Sequence, residues 1–193
     1  MPIVATIAVL VFVAIAFGLR TWLQLRSTGE SGFVGLRPGA TAIERVAGAA
    51  MVLAFALVPV GAWLGAPVLP RGLASLGVFL VVLGTVGTFA AQVTMRDSWR
   101  IGVDPAARTA LVTDGSFRWV RNPIFTMMIV ASIGLALICP TPLLLVLPAV
   151  LVAALEVQVR VVEEPYLRAV HGERYLQWAA RTGRFVPGVG RLS

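Results

Sequence analysis

Residues 122–155, NPIFTMMIVASIGLALICPTPLLLVLPAVLVAAL, run without a single charged side chain. At about 1.5 Å per residue, one continuous helix of that length would overrun a hydrocarbon core of about 30 Å. Cys139-Pro140-Thr141-Pro142 interrupts it, because proline lacks the amide donor that a helix interior requires. The stretch is therefore read as a hairpin of two membrane helices, over 123–139 and 142–162, joined by a very short turn. The second continues past Glu156 and Arg160, an i,i+4 pair suited to the membrane surface. So tight a hairpin brings its two outer ends together. Asn122-Pro123 and Glu163-Glu164 are expected to be neighbours, although about forty residues separate them.

Upstream lie three more apolar segments, over 3–25, 46–68 and 72–95. The first contains Ala14-Ile15-Ala16, which resembles a cleavage site, but no basic residue precedes the apolar run. It is read as a retained helix. The second carries Pro59 as an expected kink, and the third carries Gly77, Gly84, Thr88 and Ala91, small enough for a neighbouring helix to approach closely. Composition agrees with a lipid environment. Of 193 residues, 58% are hydrophobic and 13% charged, against about a quarter charged in a soluble domain. The expected fold is an all-α membrane protein of about five transmembrane helices, the last two forming the hairpin. Residues 163–181 follow as an amphipathic cytosolic helix, interrupted at Gly172.

All 16 basic residues are arginine. Five spans put fifteen of them on one side, in the first loop, the 96–122 loop and the tail, and leave Arg71 opposite. The positive-inside rule makes that side cytosolic, in a multi-pass protein of the plasma membrane. The net charge of +7 is thereby explained without a nucleic-acid partner. One cysteine, Cys139, and one histidine, His171, exclude an intramolecular disulfide and a Cys- or His-based metal cluster. Asp97, Asp104 and Asp114 are not spaced for a metal; Asp104-Pro105 and Asp114-Gly115 read as turns. No metal is expected. Trp99, Trp119 and Trp178 read as interfacial belt residues.

Polar groups able to converge lie in two cytosolic segments, from Arg96 to Pro123 and from Arg160 to Pro187. These segments carry a resemblance. Leu111-Val112-Thr113-Asp114-Gly115-Ser116-Phe117 leads into Arg121-Asn122-Pro123. After the hairpin come Glu163-Glu164, Gly172-Glu173-Arg174-Tyr175 and Arg184-Phe185-Val186-Pro187. In order and spacing this resembles the isoprenylcysteine carboxyl methyltransferases and related phospholipid methyltransferases, over about residues 95–190. Asn122 stands where the family pattern has histidine, Phe125 where it has tyrosine and Met127 where it has glycine.

The resemblance implies a membrane methyltransferase that binds S-adenosylmethionine at the cytosolic helix ends and acts on a lipophilic acceptor. That acceptor is a carboxylate of an isoprenylcysteine-like or lipid substrate. Residues 96–193 would form the methyltransferase-like region, and 1–95 three N-terminal helices. The implied cofactor-binding residues are Leu111, Val112, Gly115, Arg121, Asn122, Pro123, Glu163, Glu164 and Tyr175; Asn122 and Arg184 are the implied catalytic pair. Charge supports such roles. A glutamate can face the cofactor's sulfonium or amino group, and Arg121 or Arg184 can clamp its carboxylate. Gly84, Thr88 and Ala91 on the third helix and Gly134 on the fourth are expected to leave room for the acceptor's tail. Two other readings stand beside this one. A membrane reductase of the sterol reductase type would bind a nicotinamide cofactor but use a different polar set after the hairpin. A non-enzymatic scaffold or transporter subunit would be expected to place polar groups nearer the midplane.

Overall fold

The computed structural model describes residues 1–35, 39–102 and 110–192. Arg37, Arg108 and the expected turn at Asp104-Pro105 lie outside them. The described chain is a bundle of antiparallel helices. Helix α1 spans Pro2–Thr28, α2 Ala42–Leu64 and α3 Ala74–Thr94. Helix α4 spans Pro123–Ile138, α5 Pro142–Val157 and α6 Glu164–Ala179. A π-helical turn, Gln158–Glu163, joins α5 to α6 in one rod, which Gly172, at φ 52° and ψ −129°, kinks within α6 where an interruption is expected. Four of the five expected spans, α1, α2, α3 and the α5–α6 rod, are long and apolar enough to cross a membrane; α4, in the place of the fifth, is apolar but has only 16 residues.

Local chemistry sets the helix ends. Thr41 and Thr141 cap α2 and α5, their hydroxyls accepting from the amides of Glu44 and Leu144. Pro123 and Pro142 open α4 and α5, where a missing amide hydrogen costs nothing. Gly29, at φ 77°, closes α1 in the left-handed conformation. Pro59 and Pro148 sit inside α2 and α5.

Helix α4 is the centre of the bundle and buries residues along its whole length, from Pro123 through Met128, Ala131 and Leu135 to Ile138. Its most extensive partner is α3. A Cβ built on Gly77 would lie 2.7 Å from the Gly134 carbonyl, and one on Gly84 2.6 Å from the Ala131 amide. The small residues of α3 are thus filled by α4's backbone, as close helix packing in lipid favours. The expected room for an acceptor tail at Gly84 and Gly134 is not there. Thr88 is also fully buried. Around the outside, large apolar side chains stand exposed on α2 and α3, among them Val46, Val52, Phe79, Val82 and Val86. A surface this apolar suits hydrocarbon.

The antiparallel arrangement gathers the described arginine-rich segments at one end. There the Arg20 guanidinium donates to the Arg96 carbonyl at 2.7 Å and stacks on Trp99, while the Gln24 amide donates to the Asp97 carbonyl. Arg96 has φ 49°, a left-handed conformation unusual for a side-chain-bearing residue, so α1 holds the start of the following loop in a strained turn. Trp99 is 2% exposed beneath Arg20. It is core, not an interfacial belt residue; its cation–π contact draws it inward. Trp119, by contrast, is exposed. At the opposite end Cys139 is buried, its thiol donating to the Ala62 carbonyl at 3.8 Å.

Candidate active site

At the arginine-rich end the hairpin does what its length requires. Arg121, just ahead of α4, and Glu164, at the start of α6, meet in a buried ion pair at 2.8 Å. Arg184 reaches the same carboxylate from the C-terminal segment: its Nε donates to Glu164 Oε1 at 2.8 Å and its Nη2 to Oε2 at 3.2 Å. All three side chains are nearly inaccessible. The bond from Glu164, opposed by burial, raises the Arg184 pKa above its ordinary value. Glu156 adds a second acidic neighbour, 3.6 Å from Arg184 Nη1, while also pairing with Arg160 as the i,i+4 spacing predicts.

Arg121 is a hub. Its Nη1 donates to the carbonyls of Ala179 and Thr182, and its Nη2 to Gly190 as well as to Glu164. Backbone joins the same segments: the Arg121 amide donates to the Gly183 carbonyl at 2.7 Å, and the Asn122 amide to the Arg184 carbonyl at 3.1 Å. The Asn122 side-chain amide donates to that same Arg184 carbonyl at 3.2 Å. One turn into α4, the Thr126 hydroxyl donates to the Phe185 carbonyl at 2.8 Å. The C-terminal segment is thus laced onto the start of α4 by both backbone and side chains.

The sequence-predicted residues fall into three settings. Arg121, Asn122, Pro123, Glu164 and Arg184 form the laced cluster. Leu111 and Tyr175 are buried together beside it, packed with Ala179. Gly115 lies apart, exposed against Thr94 at the end of α3, and Val112 between them is half-buried. The two glutamates, alike in sequence, separate. Glu164 is buried between arginines. Glu163 is half-buried, receives a 3.4 Å hydrogen bond from Gln158, and takes part in no ion pair among the described residues. The expectation that Arg121 or Arg184 would clamp a cofactor carboxylate meets an obstacle: both Nη groups of Arg121 and the Nε and Nη2 of Arg184 are committed to Glu164 and to backbone carbonyls, and the Arg121 Nε, which has no partner among the described residues, is buried. Sequence reading missed Glu156 and Thr126 as partners of this cluster. The spacing Asn122-x-x-x-Thr126 was the one available signal for Thr126, since it places both residues on the same helical face.

These features define a multi-pass helical membrane protein whose C-terminal segment locks onto the start of a central helix through a buried Arg–Glu–Arg cluster. The sequence matches the family model of the phospholipid methyltransferases over residues 73–174, and the chain belongs to that family. Its fold is similar to that of the eukaryotic intramembrane Ras methyltransferase, isoprenylcysteine carboxyl methyltransferase. The TM-score is 0.58 at 21% identity, covering 89% of this chain and 61% of that one. The chain thus spans about three-fifths of that protein's length. No curated protein matches the sequence.

Proposed function

We propose that the protein transfers a methyl group from S-adenosylmethionine to a lipophilic acceptor, at the cytosolic ends of its membrane helices. The observation that carries this reading is the meeting of Arg121-Asn122-Pro123, Glu164 and Arg184-Phe185 in one buried cluster beside Tyr175. These are the segments in which the sequence resembles such enzymes. When bound, the cofactor supplies an electrophilic methyl carbon on a positive sulfonium.

The donor set fits that group once roles are divided. Glu163, half-buried and free of any arginine partner among the described residues, is the carboxylate to face the cofactor's positive groups. Val112, half-buried beside the closed Leu111–Tyr175 contact, offers apolar surface and backbone hydrogen bonds for the adenine, with Gly115 farther out. Asn122 and Pro123 mark where the acceptor's reactive end would meet the methyl group. Arg121, Glu164 and Arg184 hold these elements in register rather than contacting the cofactor through free donors. A preformed site of this kind lowers the barrier mainly by positioning and charge placement. A carboxylate acceptor, of the isoprenylcysteine or lipid type, requires no general base.

Titration of the purified protein with S-adenosylhomocysteine should give saturable binding, and the same titration with NADPH none. Binding of NADPH alone would overturn the reading in favour of a reductase. Sidedness has its own test. Asp114→Cys and Pro67→Cys lie at opposite ends of the bundle, and the native Cys139 is buried. An impermeant thiol reagent should label position 67 in intact cells and position 114 only in inverted vesicles. Labelling of both from one side would refute the proposed topology.

A further inference from the structure

We infer that the turn Val186–Val189, together with Trp119, is immersed in the membrane leaflet at the arginine-rich end and contacts phospholipid directly. The depth follows from helix register. Helix α3 has 21 residues and matches a hydrocarbon core of about 30 Å at about 1.5 Å per residue. Helix α4 has only 16 residues and packs antiparallel to it. Gly77 meets Gly134 and Ile138; Gly84 and Gly87 meet Met127. Thr126 is therefore level with Gly87, seven residues short of the end of α3 at Thr94, or about 10 Å below it. The Phe185 carbonyl bonds to the Thr126 hydroxyl and must lie at that depth.

Two further features fit lipid and not water. Val186 and Val189 on the turn, and Trp119 ahead of α4, are 56%, 63% and 68% exposed. Part of the backbone there is closed on the protein itself, which favours a non-helical segment at membrane depth. The Arg184 amide donates to Val189, the Val189 amide to Val186 and the Arg121 amide to Gly183. Arg118, Arg181 and Arg191 are exposed on the same segments and can reach lipid phosphates. The consequence, which rests on the proposed methyl transfer, is that an acceptor reaches Asn122 from within the leaflet, past this turn. The immersion itself does not rest on that reading.

Val186→Cys and Val189→Cys place a thiol on exposed positions, and Cys139 is buried, so a polarity-sensitive fluorophore can be attached selectively. In phosphatidylcholine vesicles both labels should emit at shorter wavelength than the same fluorophore coupled to free cysteine in buffer. A nitroxide on the upper acyl chain should quench them several-fold more strongly than aqueous iodide does. Stronger quenching by iodide than by the lipid nitroxide at both positions would overturn the inference, whether or not the protein binds S-adenosylhomocysteine.

Discussion

Replacing Glu164 by glutamine is expected to unfold the C-terminal segment from the bundle and to abolish S-adenosylhomocysteine binding with it. The substitution keeps the side chain's size but removes the only carboxylate that both Arg121 and Arg184 touch by hydrogen bond among the described residues. Two guanidinium groups would then remain buried with one neutral amide between them. Breaking a buried ion pair by removing one partner costs about 3–5 kcal/mol. Glu156, 3.6 Å from Arg184 and more exposed, offsets only part of that. Thermal unfolding in detergent micelles should show a large loss of stability for Glu164→Gln. Glu163→Gln should unfold like the parent, because Glu163 takes part in no ion pair, but bind S-adenosylhomocysteine more weakly. Equal stability of the parent and Glu164→Gln would remove the cluster from its structural role. The reverse pattern, with Glu163 the stabilising residue, would exchange the roles of the two glutamates.

That the two glutamates are unequal was not legible in the sequence. Adjacent helical residues point about 100° apart, so either could have faced inward. The π-helical turn Gln158–Glu163 decides it. A π turn advances the chain more slowly than an α turn, rotating everything after it. No spacing rule announces such a turn. The hairpin, by contrast, was legible because charge-free length and a Pro-Thr-Pro break leave few alternatives. The nearness of the Arg121-Asn122 end of α4 to Glu164 follows from that hairpin, whereas the meeting of Asn122 with Arg184 was signalled only by the resemblance. Two misreadings have a common origin. Residue type alone makes Trp99 a belt aromatic and lets Gly84 serve either close helix packing or open space, of which only the packing is found. Type does not reveal which face of an element meets a partner. Trp99 is covered by Arg20, itself held by a carbonyl in a strained turn, and Gly84 is covered by α4. The occupancy of Arg121 was equally hidden, since three of its four acceptors are backbone carbonyls and carry no side-chain signature.

Gly84→Leu tests the packing of the central pair and is expected to lose cofactor binding and turnover together. A Cβ alone at position 84 would meet the Ala131 amide at 2.6 Å, the Ala131 Cβ at 2.7 Å and the Met127 carbonyl at 2.7 Å. Two of those three contacts are backbone, which cannot rotate away. Helices α3 and α4 must separate, and overpacking of a well-packed core costs about 1–3 kcal/mol or more. The displacement travels along α4 to its first turn, where Asn122 and Thr126 hold the C-terminal segment. Binding and turnover are therefore coupled through one rigid element. Gly18→Leu is the control: that glycine lies on α1, exposed, with nothing within 4 Å of its Cβ position. It should leave stability, S-adenosylhomocysteine affinity and turnover near those of the parent. If Gly84→Leu instead lost turnover of a lipid-like acceptor while keeping its affinity for S-adenosylhomocysteine, position 84 would border the acceptor's path after all. The α3–α4 contact would then have to open during the reaction.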